Sequence, residues 1–135
     1  IGMTQLPKDL LESSEELTTE QWALVKDHPR IGMKMLEQTG NIPDEVRYIV
    51  YQHHEQPDGH GYPNMLRGPV IYHPAKIVAL ADAFSAMISK RPFRRAYTAE
   101  EAIATLEKEA GKYDKELVKI LASIFNKPSS GKKAS

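Results

Sequence analysis

Residues 43–63 read Pro-Asp-Glu-Val-Arg-Tyr-Ile-Val-Tyr-Gln-His-His-Glu-Gln-Pro-Asp-Gly-His-Gly-Tyr-Pro. Pro43 suits the start of a helix, where its missing N–H is no loss, and Asp44 and Glu45 meet the positive end of the helix dipole. Val46, Ile49, Val50 and His53 then follow the i, i+3, i+4, i+7 spacing of one helical face. The spacing predicts a helix with a buried aliphatic face whose last turn carries His53, with His54 one step round beside Val50. Beyond it the chain becomes a loop. Gly59 and Gly61 supply backbone conformations closed to other residues, and Pro57 and Pro63 stiffen it.

From His53 to Pro63 the sequence crowds three imidazoles and two carboxylates into eleven residues. Imidazole and carboxylate are ligands of borderline transition metals, and such crowding points to a metal site. Burying two imidazoles beside aliphatic side chains is costly unless each finds a partner, and a metal ion accepts neutral nitrogen directly. Asp58 either orients a histidine nitrogen or caps the loop. Tyr62 offers a ring face and a hydroxyl, or simply anchors the loop.

Upstream, Thr18 or Thr19 caps a helix with Glu20 and Gln21 in its first turn and Trp22, Val25, Ile31 and Met35 on one side. Pro29 interrupts that run, so the helix breaks at Asp27-His28 or a new one starts with Pro29 in its first turn. His28 therefore sits at a junction, as a ligand or as a cap. Lys8 to Glu16 reads as a short helical turn and a loop, and Gly40 closes the second helix.

Downstream, a small-residue helix runs from about His73 to Ser89, with Ala75, Val78, Ala81, Asp82, Ser85 and Ala86 as its packing face. Asp82 is the misfit: a carboxylate among small apolar side chains needs a cation or good donors, which favours a metal ligand over a hydrogen-bond acceptor. Lys90, Arg91, Arg94 and Arg95 gather at the exit of that helix. They either complement its dipole or offer planar forks to phosphate. Thr98 and Glu101 form a capping box ahead of Ala102, Ile103 and Leu106, and Gly111 ends that element. Asp114 opens a last helix whose Leu117, Val118, Ile120, Leu121, Ile124 and Phe125 read as core. Residues 127–135 form a polar tail expected to be mobile. With no repeat and no alternating strand pattern, the fold class is all-α.

Composition narrows the function classes. The 135 residues are 41% hydrophobic, enough for one domain with a core, and 18 basic against 18 acidic side chains leave no global field for DNA, RNA or an anionic membrane. Cysteine is absent, which removes disulfides, thiolate metal sites and a cysteine nucleophile and fits a reducing, cytoplasmic setting. No apolar run approaches a membrane span. Ile1 is not a natural initiator, so the chain reads as part of a longer protein.

His53-His54-Glu55 followed by Asp58-Gly59-His60-Gly61-Tyr62-Pro63 resembles the HHExxDGxGYP signature of HD-GYP domains, a subgroup of the HD superfamily of metal-dependent phosphohydrolases. The resemblance extends to His28-Pro29 with Gly32, to Ala81-Asp82-Ala83-Phe84 and to the basic turn Arg91-Pro92-Phe93-Arg94, and covers the chain to about Phe125. It implies an HD-like bundle of about five helices with an irregular Gly-Tyr-Pro loop. The implied activity is hydrolysis of cyclic di-GMP to pGpG or GMP with two or three divalent ions, iron or manganese foremost, zinc, nickel or magnesium otherwise.

By position, His28, His53, His54 and Asp82 are the implied metal ligands, Asp58 the group that orients them, and Tyr62, Arg91 and Arg94 the substrate contacts. His60 falls at a variable position and is expected to be exposed. The resemblance further implies that residues 1–126 are the C-terminal part of the domain, that the His-Asp doublet would directly precede Ile1, and that this segment alone is inactive. Met3 stands where the family usually carries a lysine, and Ser85 where an aspartate is common. These departures leave a second reading open: a non-catalytic module that binds nucleotide or a signalling partner through the Gly-Tyr-Pro loop.

Overall fold

The computed structural model describes residues 1–13, 15–92, 94–109 and 111–126. They form seven α-helices: α1 (Lys8–Glu12), α2 (Thr19–Lys26), α3 (His28–Thr39), α4 (Asp44–Gln52), α5 (His73–Ile88), α6 (Ala99–Lys108) and α7 (Lys115–Asn126). Among the described residues no strand occurs; backbone bridges join Asp58 to Arg67 and Arg91 to Arg94. The all-α expectation holds. The helix number exceeds the expected five because Asp27 separates α2 from α3 and because Lys8–Glu12 closes a short helix of its own. The expected mobile tail lies outside the described residues, as does Phe93 of the basic turn.

Local chemistry sets the helix ends. Thr18 builds a full capping box on α2: its hydroxyl accepts from the Gln21 N–H at 3.2 Å and the Gln21 side chain accepts from the Thr18 N–H at 2.9 Å. Pro29 lies in the first turn of α3, where a proline is tolerated. Thr98 caps α6 through the Glu101 N–H, and the Asp114 carboxylate accepts from the N–H groups of Glu116 and Leu117 at the head of α7.

The hydrophobic core lies among α5, α6 and α7, where Leu80, Phe84, Ala102, Ile103, Leu106 and Val118 pack together under Met87, Tyr97, Leu117 and Leu121. This corrects the face assigned to α5. Leu80, Ala83, Phe84 and Met87 turn inward at helical spacing, whereas Val78, Ala81, Asp82 and Ser85 lie on the exposed side. Bulk decides: Leu80 and Phe84 bury far more apolar area than the small residues opposite them. Ile120, Ile124 and Phe125 of α7 are likewise exposed rather than core.

The other half is built differently. The aliphatic face expected to be buried on α4 is only half covered, with Ile49 and Val50 partly buried and Val46 exposed. Close backbone approach adds to the few buried side chains of this half, Leu6, Leu10 and Pro29. A Cβ on Gly2 would stand 1.8 Å from the His28 carbonyl oxygen, so only glycine lets the Gly2–Gln5 turn lie against the start of α3.

Candidate metal centre

Three histidines from two helix ends meet at one point. His28 opens α3, His53 caps the C-terminus of α4, and His54 follows it. Their ring centroids lie 4.1 Å (His53–His54), 4.8 Å (His28–His54) and 5.6 Å (His28–His53) apart. One nitrogen from each falls within 4.8 Å of the others, close enough to hold an ion between them. The break between α2 and α3 at Asp27 and the end of α4 are thus what bring the three rings together.

Backbone carbonyls orient two of the rings. His28 Nδ1 lies 2.5 Å from the Val25 carbonyl oxygen and His53 Nδ1 lies 2.7 Å from that of Val50. A carbonyl can only accept, so each Nδ1 carries a proton and Nε2 is the nitrogen left to coordinate. Burial disfavours the charged form of His28, which is only 5% exposed, and lowers its pKa. For His54, burial first and then the neighbouring His53 and His28 rings push the pKa from the ordinary 6.5 to about 3. Neutral, oriented imidazoles are the metal-binding form, so the donor set fits a divalent transition metal.

Asp82 adds a carboxylate. It is exposed on α5, not buried as its small-residue neighbours suggested, but it faces the cluster: a cavity of about 380 Å³ is lined by His28, His53, His54, Asp82, Tyr62 and Met3, among others. A second opening of about 180 Å³, also lined by His53, His54 and Asp82, brings in Lys112 and Tyr113 from the α6–α7 turn. Tyr62 stacks on His54 with centroids 4.9 Å apart and an interplanar angle of 21°. Burial, with the Asp82 charge second, pushes its phenol up to about 12, so it stays protonated and can donate.

A family model described as the HD domain matches residues 1–117 of this chain. The chain belongs to the HD domain family. Within it, the cyclic di-GMP phosphodiesterase response regulator of Xanthomonas campestris pv. campestris is 38% identical over 83% of this chain and 30% of its own length. A cyclic di-GMP phosphodiesterase of Thermotoga maritima is 36% identical over 92% of this chain and 34% of its own. The solved structure of an HDG"Y"P protein from Bdellovibrio bacteriovorus superposes with a TM-score of 0.71 at 26% identity, covering 92% of this chain and 39% of that one. The chain is an HD-GYP domain, and it spans about a third of the length of these relatives.

Other residues expected at the HD-GYP site have other partners. The Asp58 carboxylate engages His60, accepting from its N–H at 2.9 Å and lying 3.4 Å from its Nδ1, rather than orienting a cluster histidine. The His60 N–H is the first reason that the Asp58 pKa is lowered. Asp58 also donates its own N–H to the Gly111 carbonyl at 2.9 Å, so its place is to tie the loop to the α6–α7 turn. The Arg94 guanidinium donates to the carbonyls of Ala86, Met87 and Arg95 and lies 4.4 Å over the Tyr97 ring. It closes the end of α5, the helix-dipole alternative. Arg91 is exposed, and His60, as expected, is 82% exposed.

Glu55 was quoted only as a letter of the signature, yet it is the loop's internal brace. It is 3% exposed, and its two oxygens accept the N–H groups of Asn64 at 2.7 Å and Leu66 at 2.8 Å. A glutamate adjoining an apolar helix and followed by a Pro/Gly loop is the signal that could have found it. Gly61 completes the loop: a Cβ there would come within 2.3 Å of the Gln56 nitrogen and 2.5 Å of the His54 carbonyl oxygen. The carbonyls of Val25 and Val50 had no signal at all, since any residue type supplies one.

Proposed function

We propose that this HD-GYP domain, residues 1–126, is the C-terminal part of the catalytic domain of a metal-dependent phosphodiesterase that hydrolyses cyclic di-GMP to pGpG or GMP in cytoplasmic signalling. The observation that carries the reading is the cluster of three imidazoles, two of them oriented by backbone carbonyls, which faces Asp82 across one cavity. His28, His53, His54 and Asp82 would hold two or three divalent ions, iron or manganese foremost, with zinc, nickel or magnesium as alternatives. Such ions supply an activated water and polarise the phosphorus centre.

The protein's own groups do the rest. The Val25 and Val50 carbonyls hold the Nδ1 protons, so Nε2 is the nitrogen that these two rings offer to an ion. Tyr62, protonated and stacked on His54, presents a donor and an aromatic face to the nucleotide. Arg91, exposed after α5, offers a planar fork to phosphate oxygens, while Arg94 holds the turn that carries it. The names of the relatives support the choice of cyclic di-GMP.

Met3 favours a second reading, because it gives the cavity an apolar wall where a cation would serve phosphate. In that reading the domain binds nucleotide, or a signalling protein through the Gly-Tyr-Pro loop, without turnover. The deciding experiment expresses the parent chain with the residues that precede Ile1, measures bound iron, manganese and zinc, and follows cyclic di-GMP anaerobically. Conversion to pGpG or GMP supports the phosphodiesterase. Metal-loaded protein that leaves the nucleotide intact establishes the binding module instead.

A further inference from the structure

Trp22 is the only tryptophan of the chain, and sequence periodicity placed it on the side of α2 that packs with Val25, Ile31 and Met35. In the structure it is 43% exposed. Its ring meets Tyr62 edge-on, with centroids 6.4 Å apart and planes at 73°. Tyr62 in turn stacks on His54, 4.9 Å away, and lies 6.3 Å from His28. A continuous run of rings therefore leads from the imidazole cluster to the surface and ends at an open indole. The Lys26 ammonium stands 5.7 Å from the centre of that indole, one helical turn along α2.

We infer that Trp22 and Lys26 form a nucleobase shelf at the rim of the site, on which one purine of a cyclic dinucleotide stacks while Lys26 faces its phosphate or the base's electron-rich edge. This rests on the nucleotide reading above and extends it by naming where a base is held. An exposed indole costs contact with water in the free protein, and a planar aromatic ligand recovers it. Stacking accepts any base, because each has a π-face, and the lysine adds charge complementarity to an anionic ligand. The shelf is continuous with the residues that face the phosphorus chemistry, which a surface meant for an unrelated protein need not be. It adds affinity and substrate preference and takes no part in bond breaking.

Emission from the parent protein is followed against that of its Trp22→Phe variant, so that the share of Trp22 is read by difference, while cyclic di-GMP, and separately inorganic pyrophosphate, is titrated in. Cyclic di-GMP is expected to quench the emission, whereas pyrophosphate, which has no base, leaves it unchanged. By calorimetry, Trp22→Ala should weaken cyclic di-GMP binding by about tenfold or more and Trp22→Phe by much less, because a phenyl ring still stacks. Pyrophosphate affinity and bound metal should be the same in all three proteins.

For turnover, KM should rise in Trp22→Ala with kcat retained. Thermal melts of both variants establish that they fold, and the Phe variant keeps the test open should the Ala variant not. Saturation with cyclic di-GMP without any change in emission, or equal affinity in wild type and Trp22→Ala, overturns the shelf. Quenching by a protein that never hydrolyses the nucleotide upholds the shelf and removes the phosphodiesterase, while hydrolysis with an unchanged KM in Trp22→Ala does the reverse.

Discussion

The two halves of this domain are held together by different means. From Leu80 onward, α5, α6 and α7 share a core of buried side chains. From Gly2 to Gln56, neither α2 nor α4 has a single fully buried residue, and the elements meet through Leu6, Leu10 and Pro29, through glycine contacts and through caps. The half with the thinner core carries the histidine cluster. Imidazoles grouped at helix ends take the place of apolar side chains there, so this half relies more on close backbone approach and hydrogen bonds.

The largest expected effect lies in the stable half. Leu106 is 2% exposed at the centre of the core, and Leu106→Ala removes its contacts and leaves a cavity. Stability should fall by about 2–5 kcal/mol, read as a lower denaturant midpoint, while metal content of the protein still folded at low temperature is unchanged. Loss of metal in parallel with stability would mean that the halves are one cooperative body.

Next comes the brace of the other half. Glu55→Ala strands the N–H groups of Asn64 and Leu66. Each buried N–H left without a partner costs about 1–3 kcal/mol, reduced where water enters. The expected signature is local: faster hydrogen exchange at Asn64 and Leu66 and weaker metal binding, with exchange in α6 and α7 little altered. Uniform acceleration across both halves would show that the loop is no separate unit.

How far the sequence carried depends on which half is read. Thr18, Pro29, Pro43, Thr98, Gly111 and Asp114 mark helix ends through local chemistry, so the all-α architecture was legible from neighbours in the chain. The choice of buried face on α5 was not. Both its faces are apolar enough to pack, and only the positions of α6 and α7 decide that Leu80 and Phe84 go in while Asp82 stays out. His28, His53 and His54 were legible because ligand chemistry needs those residue types, and the structure brings them together. Asp58 and Arg94 are held largely by backbone groups, the His60 N–H and the Gly111 carbonyl for one and the carbonyls of Ala86 and Met87 for the other, which no pattern of residue types encodes.

The halves should also differ in their response to acid. Folded His54, with a pKa of about 3 against the ordinary 6.5, binds its proton later than the unfolded chain does. The unfolded state therefore holds more protons between those values, and stability rises with pH across that window. The metal-free protein should be at full stability above about pH 6.5 and lose it as the pH falls toward 3, and the lowered pKa of His28 acts in the same direction. The chain has no histidine after His73, so exchange protection should fail first around α3 and α4. His54→Gln should flatten the dependence, and a pH profile identical to wild type would place the acid-sensitive group elsewhere.

The smallest effect tests the join between the halves. Arg94 and Arg91 are three residues apart, and the HD-GYP resemblance gives both to the substrate, but the structure gives Arg94 to the end of α5. Arg94→Ala leaves the carbonyls of Ala86 and Met87 to water and loses a stack on Tyr97, an exposed-to-half-buried set of contacts that should lower stability by about 1 kcal/mol. Arg91→Ala should leave the melting temperature in place and weaken cyclic di-GMP binding. If Arg94→Ala costs nucleotide affinity at unchanged stability, the guanidinium must leave the helix end when ligand arrives. The turn after α5 would then be a part of the site that moves, and the division between a structural half and a functional half would run through Arg94 itself.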